Sequence, residues 1–174
     1  MDNFYQGELL TRLSVWLALA VATLGIGLRW EARGRSAWCD WARWAWTVGC
    51  GFFLIHVVCA FHYFYRWSEA VGYSETARQT FVHTGMHWGG GLYFNYLFAA
   101  VWLADVVWWW SAPVSFSRRP HLLNVCWDGF FFFMVLNGAV IFVNGPKRWL
   151  GAVLCAVLAL LWWRRWRKKA IPSY

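Results

Sequence analysis

Four of the five histidines fall between His56 and His87, in and just outside apolar segments. Imidazole is the commonest metal ligand and also ligates haem iron, and an ionisable group at membrane depth marks a functional site by default. His56, His62, His83 and His87 are therefore the candidate cofactor-binding residues, with haem b or a transition metal as the cofactor. Spacing restricts the set. At helical geometry His56 and His62 point about 120° apart, so they do not easily share one ligand. His83 and His87 share a face only if a helix runs through Gly85. By depth, His62 with His83 or His87 is the workable metal-ligating combination, and Tyr93, Asn95 and Tyr96 enter the membrane beside it. The plainer reading makes the same histidines interfacial or interhelical hydrogen-bond partners.

Asp105 and Asp128 form a second constellation. Each lies roughly 8–9 Å by helical rise from the same end of its span, so the depths match. A buried carboxylate must pair, accept hydrogen bonds or take up a proton. Asn124, His121, Arg118 and Arg119 are the candidate partners. A polar clamp between helices is the simpler role, and a proton-conducting or quinone-side acid the sharper one. Cys39, Cys50, Cys59, Cys126 and Cys155 form no CxxC pair and no CxxCH haem-attachment motif, and read as small packing residues. Only Cys59 lies near the histidines.

The elements that must position these groups are apolar. The chain has 174 residues, 60% of them hydrophobic and 22% aromatic, and only 14% are charged. A soluble domain carries about 25% charged residues. The expectation is an all-α polytopic integral membrane bundle, one domain over residues 1–174, with spans at about 9–28, 45–65, 88–110, 122–143 and 149–163. A short interfacial helix is expected within Trp67 to Met86, starting near Ser74-Glu75 and stopping at Gly85. Ala18, Ala22 and Gly25 put small residues at helical spacing, which lets a neighbouring helix approach closely. Gly89-Gly90-Gly91 marks an irregular or closely packed first turn of the third span, and Ser111-Ala112-Pro113 marks its end. Asn144-Gly145-Pro146 reads as a tight turn, and Phe130 to Phe133 as a lipid-facing or packing surface.

The net charge of +8 does not indicate nucleic acid, because the basic residues cluster in connections and at the C-terminus rather than along a stripe. Eleven of the 16 Lys/Arg fall in 29–43, 118–119 and the tail from Arg164, against five on the other side of a five-span chain. That asymmetry places the N-terminus outside and the C-terminus in the cytoplasm. Twelve of the 17 tryptophans cluster toward the inner ends of the spans, as interface belts. So small a bundle with short connections has little room for a large aqueous active site. The expected function is a membrane-embedded component of a larger assembly, with the lipid bilayer and other membrane subunits as partners and the histidine cluster serving electron transfer. A non-catalytic structural or assembly subunit is the competing class, and a small transporter using Asp105 and Asp128 a third.

Overall fold

The computed structural model describes residues 2–31, 36–143 and 145–170, and its regular structure is all helical. Arg33 and Arg35 of the basic loop, Asn144 of the turn and residues 171–174 of the tail lie outside the described residues. Among the described residues, four helices are long and apolar enough to cross a membrane: Tyr5–Trp30, Ala37–Tyr65, Gly91–Ser111 and His121–Ile141. They belong to α1 (Asp2–Glu31), α2 (Ser36–Ala60) with a π-helical extension Phe61–Tyr65, α4 (Gly91–Ser111), and α6 (His121–Leu136) with a π-helical extension Asn137–Ile141. Between them lie α3 (Glu69–Thr84) and the one-turn α5 (Pro113–Ser117), and α7 (Lys147–Ala170) follows. Helices are what such runs must form, because lipid offers backbone N–H and C=O groups no water.

α1 and α2 pack backbone to backbone. Ala18 and Ala22 are completely buried. A methyl group at Gly49 would sit 3.2 Å from the Ala18 carbonyl oxygen and the Ala22 nitrogen, and one at Gly25 would sit 3.1 Å from the Trp46 nitrogen. The small-residue face of Ala18, Ala22 and Gly25 is thus the surface that α2 occupies. Apolar helices gain nothing from leaving lipid for each other, so close van der Waals contact must hold them together. Thr11, Ser14 and Thr23, buried on α1, donate their hydroxyls to carbonyls of their own helix, at Gly7, Thr11 and Leu19.

α2, α4 and α6 meet through rings instead. Trp46 and Phe53 of α2 contact Phe98 and Trp102 of α4 and Phe131 of α6, with centroids 4.9–5.7 Å apart in edge or tilted arrangements. These are the separations that favour aromatic pairs. The Phe130 to Phe133 run divides by helical phase: Phe131 is buried in this core and Phe133 is exposed. The α7 helix runs along the bundle in the opposite sense to α6. Near its start, the Ala139 backbone fills the space a side chain at Gly151 would need, and further along Leu161 lies beside Gly27.

The connection before α4 differs from expectation. α3 begins at Glu69, not near Ser74-Glu75. Arg66 (φ 51°) and Trp67 (φ 56°) turn the chain through two left-handed residues, which leaves the extended Ser68 to accept a hydrogen bond from the Val71 N–H as the N-cap. Ser74 is then inside the helix and donates to the Val71 carbonyl. Gly85 (φ 76°) ends α3 as its composition suggests, donating its N–H to the Phe81 carbonyl. α1 and α2 also extend beyond 9–28 and 45–65, because the Trp- and Arg-bearing flanks remain helical. Gly89 is closely packed: the Tyr73 carbonyl and ring occupy the space a Cβ would take. α4 stops at Ser111, ahead of Pro113.

Two glycines on α2 separate packing from propensity. Gly49→Leu should lower stability in detergent by about 1–3 kcal/mol, as overpacking does. At Gly51 no atom lies within 4 Å of an added methyl, so Gly51→Ala should leave the melting temperature unchanged or higher. Thermal unfolding of both variants, followed by circular dichroism, checks the pair.

Candidate functional site

The buried charged side chains among the described residues, Asp105 and Arg119, lie at the end where α1 finishes and α6 begins. Asp105, one turn and a half before the end of α4, is buried, and so is Arg119 in the short connection after α5. The Arg119 guanidinium donates through Nη1 to Asp105 Oδ1, and the pair's side chains are 2% and 8% exposed. Asp105 Oδ2 accepts from the Trp46 indole N–H of α2 at 3.0 Å. Arg119 Nε donates to Asn124 Oδ1 at 2.5 Å, and Arg29 Nη2 at the end of α1 donates to the same oxygen at 3.0 Å. The Asn124 amide closes the set on the Pro120 carbonyl. Four spans therefore contribute to one hydrogen-bonded network.

Local chemistry explains why Arg119 turns inward. Pro113 starts α5, whose Phe116 is buried and stacks on Trp109 of α4 with centroids 4.6 Å apart. The Arg119 guanidinium lies 4.3 Å from the Phe116 ring centroid, and that of Arg29 lies 5.2 Å away. A guanidinium over a ring face keeps an electrostatic partner as it leaves water. Arg118 by contrast is exposed. A second polar contact borders this network, where Trp110 donates to the Thr47 hydroxyl and the Arg43 guanidinium sits over the Trp110 ring.

Asp105 thus finds two of its expected partners close by, Arg119 directly and Asn124 through it. Trp46 and Arg29 are partners the sequence did not reveal. Trp46 reads there as a belt residue and Arg29 as a loop cation, and nothing in their spacing links them to Asp105. Asp128 is half-buried on α6.

The four candidate histidines lie away from this end, while His121 begins α6 beside it. His56 is half-buried on α2, and its Nδ1 lies 2.8 Å from the Thr11 carbonyl oxygen of α1. A carbonyl only accepts, so Nδ1 carries the proton, and in the neutral ring Nε2 keeps its lone pair. His62 is exposed on the π-helical extension of α2, edge-on to Tyr63 and near Trp67. His83 meets Phe142 edge-on, and His87 stacks on Phe81 at 3.9 Å. Gly85 ends α3 between them, so His83 and His87 do not share a helix face. Among the described residues no group of three or more His, Cys, Asp or Glu is assembled that could hold a metal ion. His62, His83 and His87 are therefore not gathered into a ligand set. Cys59 is half-buried, and all five cysteines are unpaired thiols.

A cleft between α2 and α4 reaches His56, with Phe61, Tyr65, Asn95 and Tyr96 among its lining. Its volume is about 40 Å³. Cofactor sites run to roughly 300–1,000 Å³, so this cleft admits a small group and not a porphyrin ring. Outside the spans, on α3, Arg78 makes two hydrogen bonds to Glu75 and holds its carboxyl below the usual range. That pair is solvent-facing and carries no site.

No protein-family model, no curated protein and no solved structure matches the chain.

Asn124 takes hydrogen bonds from two guanidiniums, which makes its oxygen the testable centre of the network. Asn124→Leu should cost about 1–3 kcal/mol, because two donors lose their acceptor where water is scarce. Asn124→Asp keeps an acceptor and adds a negative charge between two cations, so its stability should match or exceed that of the unmodified chain. Unfolding of the two variants in the same detergent checks the contrast.

Proposed function

We propose that the chain is a structural component of a larger membrane assembly, in which the buried polar groups join helices and do not catalyse. The observation that carries this reading is the Asp105–Arg119 pair with Trp46, Asn124 and Arg29 around it. Its carboxylate is engaged by two donors from other segments and is only 8% exposed, which is the arrangement of a clamp. A transport role would need that carboxylate to exchange protons or ions, and a guanidinium bonded to it opposes this. Short connections and the scarcity of polar surface support a partner role within the bilayer over an aqueous active site.

The proposal includes a topology of five spans and one interfacial helix. α7 is the fifth span, supported by its 24-residue length and its contacts near Ala139 at one end and Gly27 at the other. α3 is the interfacial helix. Its Thr76 and Thr80 turn their hydroxyls back to Gly72 and Thr76, and Val71 and Val82 are exposed. The basic asymmetry orients the N-terminus outside and the C-terminus in the cytoplasm.

A redox role for the histidines is the second reading, in which His56, His62, His83 and His87 hold haem b or a transition metal. His56 favours it, because an imidazole fixed through Nδ1 presents Nε2 as a ligating nitrogen. The absorption spectrum and metal content of the purified protein decide between the readings. The structural reading expects no Soret band and no stoichiometric metal. A Soret band lost in His56→Ala or His62→Ala would establish the redox reading instead.

A further inference from the structure

The clamp leaves two polar groups at the other end of the bundle unused. His56 makes one hydrogen bond, through Nδ1 to Thr11, and its Nε2 has no partner among the described residues. Asn95, in the second turn of α4, has no hydrogen bond from its amide to any described residue, and it is exposed. Both line the cleft between α2 and α4, and both belong to membrane-spanning segments. Water satisfies such groups on an aqueous surface, but at lipid depth an unpaired amide or imidazole is costly. Two residues, one with a free ring nitrogen and one with an amide that both donates and accepts, therefore line one small space together with Phe53, Phe61, Tyr65 and Tyr96.

We infer that this cleft binds the head of a membrane-soluble quinol. One ring hydroxyl donates to His56 Nε2, and the same oxygen accepts from the Asn95 amide. Fixing Nδ1 on Thr11 makes His56 an acceptor, so the complementary ligand is a donor: a quinol has the O–H that its quinone lacks. The volume of about 40 Å³ matches a hydroxyl and the adjoining ring edge, with the rest of the ring and its tail extending into lipid. The ring walls favour a flat aromatic head over a branched aliphatic one. The inference uses the membrane-spanning helices but not the structural role proposed above, and no redox step on this chain is part of it.

The full chain, labelled with 15N-histidine and placed in phosphatidylcholine nanodiscs, is titrated with a decyl benzoquinol while the histidine ring nitrogens are followed by NMR. A saturable shift of the His56 Nε2 resonance is expected, with the other four histidines unmoved. Affinity should fall about tenfold in Asn95→Leu, the loss of one hydrogen bond in a water-poor site, and the matched quinone should bind at least about tenfold more weakly. Asn95 is on an exposed face, so that variant tests the site without touching the α1–α2 contact that His56→Phe would disturb. No saturable shift, or binding that is the same in Asn95→Leu, overturns the inference. Equal or tighter binding of oleyl alcohol or cholesterol also overturns it, by assigning the cleft to a lipid hydroxyl. None of these outcomes depends on whether the purified protein carries haem or metal.

Discussion

The ion pair between Asp105 and Arg119 is the contact on which the arrangement of the other helices depends. Lipid cannot solvate either charge, so each must find its partner inside the protein. Arg119 is in a connection, and it reaches Asp105 only because Pro113 starts a one-turn helix that folds Phe116 under Trp109. The second carboxylate oxygen holds Trp46, and through it α2. Asn124 bridges Arg119 to Arg29 and so ties the start of α6 to the end of α1. Such a pair adds little net stability compared with an apolar replacement of equal shape. Its effect is on specificity, since other registers of α2 or α6 would strand a charge.

The remainder of the bundle is held by two kinds of packing that need this register. α1 and α2 touch along Ala18, Ala22, Gly25 and Gly49, where a shift of one residue would bring side chains into the backbone contact. α2, α4 and α6 interlock through Trp46, Phe53, Phe98, Trp102 and Phe131. Within that ring cluster the indole N–H groups of Trp102 and Trp127 have no hydrogen-bond acceptor among the described residues. They lie among aromatic faces, which are weak acceptors. Trp46 is the exception, and it is the ring that joins the apolar core to the charged end.

Much of this was legible in the sequence, for reasons that differ by residue. Runs of apolar residues name helices because lipid permits little else. Ala18, Ala22 and Gly25 name a contact because small residues serve backbone approach. Pro113 and Gly85 name helix ends through their φ preferences. Asp105 announces itself as a charge needing a partner, and Arg119 and Asn124 were within its reach along the chain. Arg29 and Trp46 were not legible, because contacts across 95 and 59 residues leave no local pattern. The histidines were legible one by one, but their surroundings were not. Depth placed them near one another, but the left-handed turn at Arg66 and Trp67 and the stop at Gly85 give each ring a different neighbour. The start of α3 was displaced for a similar reason, since only that turn reveals Ser68 as the cap.

Asp105 and Arg119 act as a pair. A double-mutant cycle in detergent measures this directly, using Asp105→Leu, Arg119→Met and the two together. Each single variant should lose about 3–5 kcal/mol of unfolding free energy, because it leaves one charge buried alone. The double variant should lose much less than the sum, since no charge remains to be stranded. Losses that add to within about 0.5 kcal/mol would mean that the two residues do not act on each other, and would contradict the account.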